Sequence, residues 1–353
     1  MATKRGSGIT VYMSYLRRLL PRPIKRLARG LLGSKPLLFV RLVKAYLFDL
    51  RRYARYSGTI NMRFRQNEEA WLIMAYHRIE KALALKNPRP GFGKANVRDM
   101  LQKLELYYKR YGVDDTVEIC MSVLQLYFEF NRYHDAEIRE LETRYNELRD
   151  MILAGGSIQQ RSIGGVIPIR REDVLRAAIV DFEVFSRSRR SIRQFAPDPV
   201  ELDVIKKAIS IAQSTPSVCN RQTWRTHVFL DKEQIKEILK YQNGNRGFGE
   251  DAAAILIVTA SLPYFIGVGE RNQAFIDGGM YAMTLVYALH SLGLGTCCLN
   301  LSVSPSVDTR LHEVAKIPCD EVLIMMIAVG HLPEEFVVAS SPRRPLSDVV
   351  TVH

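Results

Sequence analysis

The stretch Arg189-Arg190-Ser191-Ile192-Arg193 decides how the second half of this chain is interpreted. It gathers three guanidinium groups and a hydroxyl within five consecutive residues. Guanidinium groups bind phosphate oxygens through a bidentate, permanently charged fork, and a serine hydroxyl adds a further donor. A run of arginines is also typical of a solvated basic surface. The phosphate interpretation is favoured because this stretch opens an ordered series of motifs that continues to the C-terminus.

Three further motifs complete the series. They are Thr215-Pro216-Ser217-Val218-Cys219-Asn220-Arg221-Gln222-Thr223-Trp224, then Gly293-Leu294-Gly295-Thr296, and finally Arg343-Arg344-Pro345-Leu346. In this order and at this spacing, the four motifs resemble the nitroreductase family of FMN-dependent oxidoreductases. The resemblance covers roughly residues 180–353. Thr223 departs from it, since the family usually has proline there.

The resemblance implies an FMN site. Its expected residues are Arg189, Arg190, Ser191, Arg193, Pro216, Ser217, Asn220, Gln222, Gly295, Thr296 and Arg343. The arginines and Ser191 would meet the phosphate, and the Asn220 and Gln222 amides suit the pyrimidine edge of the flavin. Glycine at 295 would let the backbone approach the ring. In the family the segment around Ser217 reaches the flavin across a dimer interface, which implies a homodimer with shared FMN sites.

The implied activity is ping-pong hydride transfer through flavin N5, from NADH or NADPH to a small-molecule substrate. The chain contains no Gly-x-Gly-x-x-Gly, consistent with nicotinamide stacking directly on flavin. No side chain is identified as a catalytic acid or base, and no metal site is predicted. Two alternatives stay open. One is an FMN-binding accessory or scaffold protein of a membrane-associated biosynthetic complex with little redox activity, and the other is chemistry on the flavin itself.

The expected fold is α+β, with a nitroreductase-like mixed or antiparallel sheet flanked by helices over residues 176–353. Residues 155–175, with Gly155-Gly156 and Gly164-Gly165, are interpreted as a linker. The pattern predicts strands over 226–230, 253–260 and 322–330, and helices over 204–213, 232–241 and 277–292. An all-helical region is expected before the linker, with a helical domain over residues 66–154.

Within the helical domain, Asn67 is expected to cap a helix. His77 and Glu80, three residues apart, are expected to form a helix-surface pair or a hydrogen bond between helices rather than to bind a metal. The break at residues 87–93 is expected to be a tight interhelical turn or an anion site. Two of these elements, His-Arg-Ile-Glu-Lys and Pro-Gly-Phe-Gly, resemble nitroreductase-like chains associated with bacterial surface-polysaccharide synthesis.

The basic residues concentrate near the N-terminus. Residues 1–65 contain 16 Lys or Arg and a single acidic residue, whereas the rest of the chain is close to neutral. Apolar residues beside basic pairs predict short amphipathic helices on an anionic membrane surface. The alternatives are a solvated helix or an arm packed on a partner subunit. No nucleic-acid-binding motif accompanies the charge.

The expected compartment is the cytoplasm, with a peripheral location at the inner face of the membrane. Five cysteines without framework spacing favour a reducing environment. The apolar residues near the N-terminus are repeatedly interrupted by Arg and Lys, which is unlike a cleavable signal.

Overall fold

The computed structural model describes residues 35–134, 138–155, 163–177, 179–339, 341 and 343–353. The chain forms two compact units, Met1–Arg52 and Tyr53–His353. None of the helices in the described ranges is long and apolar enough to cross a membrane.

The described residues before the sheet domain are mainly helical, as predicted, and the part of the basic segment before residue 35 lies outside the described residues. The helices are α1 (Lys35–Tyr56), α2 (Arg65–Leu83), α3 (Lys94–Tyr111), α4 (Asp115–Tyr133) and α5 (Arg139–Gly155). Helix α3 shows why they pack together. Val97, Met100, Leu101 and Leu104 follow the i, i+3, i+4, i+7 spacing of one helical face, and all four are fully buried. Helices α2 to α5 bury such faces in one common core.

The prediction that Asn67 caps a helix is wrong, because helix α2 begins at Arg65 and Asn67 lies in its first turn. The Asn67 side chain nevertheless accepts hydrogen bonds from the backbone N–H groups of Arg63 and Phe64, both at 3.0 Å. Its amide nitrogen donates to the Pro263 carbonyl at 2.6 Å. Asn67 therefore fastens the start of α2 to a loop of the second half of the chain.

The His77–Glu80 pair is confirmed as a surface pair, with His77 Nδ1 3.0 Å from a Glu80 carboxylate oxygen. The other Glu80 oxygen accepts the backbone N–H of Gly165 at 2.9 Å. Beside it, the Ser122 hydroxyl accepts the N–H of Gly164 at 2.9 Å. The Gly164-Gly165 sequence is thus held against helices α2 and α4. Two short helices follow it, α6 (Arg171–Ala177) and α7 (Phe182–Ser188).

The second half contains a four-stranded sheet. Its strands are β1 (Trp224–Phe229), β2 (Ala254–Ser261), β3 (Leu294–Asn300) and β4 (Glu321–His331), in the order β1-β2-β4-β3 with every pairing antiparallel. Helices α8 (Leu202–Ala212) and α10 (Gln273–Ser291) cover one face. Helices α9 (Lys232–Leu239) and α11 (Pro305–Ala315) cover the other. This confirms the predicted α+β class.

Strand β2 shows how the two layers are built. Leu256 and Val258 face the α8–α10 core, whereas Ile255 and Ile257 face the α9–α11 core. Successive side chains of a strand point to opposite faces, so a strand with a core on each side is apolar throughout. This explains why the continuous apolar run was recognisable in the sequence.

Strand β3, helix α11 and the start of helix α10 were not predicted. Strand β3 was not recognised, because it contains Gly295 and two adjacent cysteines in place of an apolar run. Helix α10 begins at Gln273, a full turn before the expected start at Asp277. Asp277 therefore lies inside the helix and is completely buried.

Candidate functional site

The Arg189–Arg193 segment lies against strand β3, which is an edge strand of the sheet. Ser191 and Thr296 form a parallel bridge, and the Ile192 N–H donates to the Thr296 carbonyl at 2.8 Å. The Ile192 side chain is buried and anchors the segment. The first and third motifs are therefore adjacent in space, although about a hundred residues separate them in the sequence.

Gly295 lies at the point of closest approach. A Cβ atom at this position would be 3.1 Å from Ile192 Cγ2 and 2.9 Å from Leu332 Cδ2. Real Cβ contacts are longer, so the absence of a side chain lets the Arg189–Arg193 segment pack directly on β3. The structure thus gives a packing reason for this glycine. The approach of its backbone to a ligand stays a prediction.

A cavity of about 110 Å³ lies at the start of β3 and is lined by Arg189, Arg190, His290 and Thr296 among others. The His290 Nε2 is 2.8 Å from the Ser188 hydroxyl. Burial and the neighbouring positive charge of Arg189 lower the pKa of His290. A lowered pKa keeps the imidazole neutral at physiological pH. His290 is therefore a hydrogen-bonded packing residue that leaves the positive charge of this cavity to the arginines.

A larger cavity, of about 390 Å³, lies at the other end of β3. Its polar lining includes Arg193, Gln242, Asn243, Cys298 and Asn300. The Gln242 amide donates to the Asn300 carbonyl at 3.1 Å and holds the loop after helix α9 against the strand. Sequence reasoning missed these residues apart from Arg193. The amide-rich run at residues 242–245 was the signal that could have found them.

The segment from Ser217 to Gln222 has an unusual backbone. Cys219, Asn220 and Gln222 have φ values of 50°, 54° and 47°, in the left-handed region that side chains rarely adopt. Such a conformation costs about 1–3 kcal/mol per residue and persists only when the surroundings impose it. The Ser217 hydroxyl accepts the N–H of Gln222 at 2.9 Å and closes the segment into a loop. Asn220 and Gln222 are exposed at its tip.

Arg221, which sequence reasoning did not assign a role, imposes this backbone. Its side chain is completely buried and pairs with both carboxylate oxygens of Glu270. The guanidinium also donates to the Tyr264 carbonyl at 2.8 Å and the Val218 carbonyl at 3.3 Å. Burial alone would raise the pKa of Glu270, but the hydrogen bonds from Arg221 outweigh it and the pKa is lowered. The loop is thus held from beneath by a charged pair.

A second contact fixes the loop to helix α10. The Val218 N–H donates to the buried Asp277 carboxylate at 3.2 Å, near the N-terminal end of that helix. His290 and the arginine cavity lie at the C-terminal end of the same helix. Thirteen residues separate Asp277 from His290, which corresponds to about 20 Å at 1.5 Å per residue. Within one chain, the second motif and the first motif therefore lie at opposite ends of α10.

The fourth motif is also apart from the first. Arg343 is exposed, and its guanidinium donates to the Ser341 carbonyl at 2.9 Å. Among the residues that the structure describes, no hydrogen bond or ion pair joins Arg343 to the Arg189–Arg193 segment. Phe336 and Val338, a few residues earlier, do line the cavity beside Arg189. Of the predicted site residues, one chain thus brings together Arg189, Arg190, Ser191, Arg193, Gly295 and Thr296, and leaves Pro216, Ser217, Asn220, Gln222 and Arg343 elsewhere.

Comparison with known proteins gives consistent matches. An iodotyrosine deiodinase from Nematostella vectensis is 25% identical over 212 residues, covering 52% of this chain and 79% of that protein. An NADH dehydrogenase from Thermus thermophilus is 25% identical over 203 residues, covering 49% of this chain and 96% of that protein. A crystal structure of a nitroreductase in complex with FMN from Desulfovibrio desulfuricans has a TM-score of 0.43 and 21% identity, and the match covers 49% of this chain and 97% of that one.

The family model described as "Nitroreductase family" matches residues 186–245 and 232–331. These ranges include the Arg189–Arg193 segment, the strained loop, the lining of the larger cavity and the whole sheet. Helices α1 to α6 lie outside the match, which begins at Ser186 within α7. Over residues 186–331, less than half of its length, the chain is similar to the nitroreductase family.

Proposed function

We propose that this protein is an FMN-dependent oxidoreductase that uses NADH or NADPH to reduce a small-molecule substrate. The observation that carries the proposal is the packing of Arg189, Ser191 and Arg193 on strand β3, beside a polar cavity of about 390 Å³. The name of the Thermus thermophilus relative supports nicotinamide as the reductant.

The residues present fit the two charged and polar ends of FMN. Arg189, Ser191 and Arg193 supply a cationic and hydroxyl donor set of the kind that binds a phosphate dianion. Arg190 adjoins them, and we propose Arg343 as a further phosphate contact. The Asn243 amide at the larger cavity can both donate and accept hydrogen bonds, as the pyrimidine edge of the flavin requires. Gly295 and Thr296 lie on β3 and line the smaller cavity.

A homodimer would complete this site. Helix α10 exposes Ile276, Met280 and Met283, spaced i, i+4, i+7 along one face. A contiguous apolar stripe on a helix is typical of a surface that another subunit covers. If two copies pair their α10 helices antiparallel about a two-fold axis, each N-terminal end meets the other copy's C-terminal end. Ser217, Asn220 and Gln222 of one copy would then lie beside the arginine segment of the other.

When bound, FMN would supply alternating hydride chemistry at N5, taking a hydride from the nicotinamide and passing it to the second substrate. The residues of the chain would bind and orient the cofactor. Arg189 and Arg193 would hold the phosphate, and the strained loop would present the Asn220 and Gln222 amides to the flavin ring. Asn300 and Ser302 line the open side of the larger cavity. Among the described residues, neither a carboxylic acid nor a histidine lines that cavity, and we propose that solvent supplies the proton for the second half-reaction.

The proposal also includes the cellular location. We place the enzyme in the cytoplasm at the inner face of a membrane, with the basic N-terminal segment as the contact. The five free cysteines and the dependence on nicotinamide support the compartment. A second substrate from polysaccharide biosynthesis is supported only by the resemblance of the helical region.

Two measurements test the function. The purified protein should be yellow or should take up FMN stoichiometrically, and stopped-flow mixing with NADH or NADPH under anaerobic conditions should bleach the flavin. The double variant Arg193→Ala/Arg343→Ala should bind FMN about 10²–10⁴-fold more weakly, since each charge-assisted contact contributes about 1.5–3 kcal/mol. Lys206→Ala, an exposed basic residue of α8, is the matched control. Bound flavin that neither nucleotide reduces would favour the accessory-protein alternative.

A further inference from the structure

Helix α1 carries a continuous apolar stripe on its surface. Phe39, Val43, Tyr46 and Leu50 follow the i, i+4, i+7, i+11 spacing of one helical face. Their side chains are between 39% and 68% exposed. Leu38, Leu42 and Leu47 border the stripe and are exposed as well. Single exposed apolar residues are common on protein surfaces, but a stripe three turns long indicates a surface that something covers.

The rest of the α1 surface is strongly basic. Residues 35–56 contain six Lys or Arg residues and one acidic residue, Asp49. At 100° per residue, Arg41, Lys44, Arg52 and Arg55 point away from the stripe, and Arg51 falls at its border. Long arginine side chains at such borders can extend to lipid phosphates while their methylene groups stay in the apolar layer.

Charge decides between the two partners that could cover the stripe. A second copy of α1 would bring an equally basic helix against the first, and like charges in an interface oppose association. An anionic lipid surface attracts each Lys or Arg and buries the apolar face at the same time. The combination of an apolar stripe with a basic remainder therefore favours lipid.

We propose that α1 lies in the plane of an anionic membrane, with Phe39, Val43, Tyr46 and Leu50 inserted between the lipid headgroups. The proposal gives the membrane contact in the proposed function a defined helix and a defined face, and it does not depend on the flavin chemistry. If the helix inserts between the headgroups, membrane binding requires both the apolar stripe and the basic residues of α1. Binding by charge alone would need only the arginines.

The test uses the full-length protein and co-sedimentation with vesicles of phosphatidylcholine, with or without phosphatidylglycerol. We expect binding to the anionic vesicles that weakens as salt is added, because screening reduces the attraction to the surface. The variant Phe39→Ser/Val43→Ser/Tyr46→Ser/Leu50→Ser should bind roughly tenfold or more weakly, since its apolar face is lost. Arg51→Gln/Arg52→Gln should weaken binding mainly at low salt. Leu85→Ser/Leu106→Ser, which changes exposed leucines outside α1, should bind as the wild type does.

Three results would overturn the proposal: equal binding to neutral and anionic vesicles, unchanged binding by the stripe variant, or no binding by the wild type. If the wild type does not bind vesicles and the stripe variant is monomeric, α1 is a subunit interface. The flavin spectrum and its reduction by nicotinamide are recorded for the same samples. A lost membrane contact with intact flavin reduction is thereby distinguished from failure of the proposed enzymatic function.

Discussion

Removing the Glu270 carboxylate should destabilise the strained loop, because Arg221 would remain buried without its counter-charge. Breaking a buried ion pair from one side costs about 3–5 kcal/mol. The lower end of this range applies here, since the Glu270 side chain is 20% exposed and Arg221 keeps the Tyr264 and Val218 carbonyls as acceptors. Glu270→Ala should therefore lower the free energy of unfolding by about 3 kcal/mol.

Urea unfolding of the FMN-free protein measures the global effect, and hydrogen exchange at the amides of residues 218–222 reports on the loop itself. Glu183→Ala is the matched control. It breaks an ion pair with Arg187 in which both side chains are more than 70% exposed, so the expected loss is at most about 1 kcal/mol. Replacing both members of the buried pair, as in Arg221→Met/Glu270→Met, should recover much of the lost stability.

The pH dependence gives an independent check. The pKa of Glu270 is lower in the folded state than its ordinary value of 4.5. The stabilisation is therefore complete above the unfolded pKa and is lost as the pH falls through the lowered folded pKa. Glu270→Gln should flatten this acid limb. If Glu270→Ala unfolds at the same urea concentration as Glu183→Ala, and its loop amides exchange no faster, the argument that Arg221 and Glu270 hold the loop is refuted.

Three further predictions concern other positions. Gly295→Ala should push Ile192 away from β3, which should lower the free energy of unfolding by about 1–3 kcal/mol through overpacking and weaken FMN binding in a fluorescence titration. The control is Gly269→Ala, where a Cβ meets nothing within 4 Å, and it should change neither the stability nor FMN binding. Thr223→Val should leave the urea midpoint unchanged or raise it, because the buried Thr223 hydroxyl has no hydrogen-bond partner in the described part of the chain; a loss above about 1 kcal/mol would contradict this. Hydrogen bonds to Asp308 outweigh burial and raise the pKa of His312, whose two ring nitrogens each lie 2.9 Å from a backbone carbonyl. Its stabilisation should be complete below pH 6.5 and disappear as the pH rises through the folded pKa, and an NMR titration showing a pKa below 6.5 would disprove the assignment.

The sequence predicted those helices and strands whose hydrophobic pattern lies within one continuous segment. The apolar run of β2 and the long apolar helix α10 were recognisable because each is buried on most sides. Strand β3 was not, since its glycine and cysteines reflect close packing with Ile192 rather than strand propensity. The start of α10 was misplaced because Asp277 resembles a residue of a helix N-terminus, whereas it binds Gln273 and the Val218 N–H inside the fold.

In the candidate site too, residues adjacent in the sequence were predicted and residues brought together by the fold were not. The arginine segment was found because its charge is concentrated in five consecutive residues. The Arg221–Glu270 pair was not, since its partners are 49 residues apart and only the fold brings them together. The amides of Gln242 and Asn243 were missed for the same reason. That the second motif lies about 20 Å along α10 from the first could not be deduced from the spacing of motifs in the chain.

The central claim is that FMN is held by the arginine segment of one copy and the strained loop of another, and mixed dimers test it most directly. Arg189→Ala/Arg193→Ala and Asn220→Ala/Gln222→Ala should each bind little flavin alone. A purified heterodimer of these two variants contains one site with every residue intact if the site is shared, and none if each chain builds its own. The account predicts one FMN per heterodimer by visible absorption, reducible by NADH or NADPH. A heterodimer as colourless as the two parent variants would contradict it.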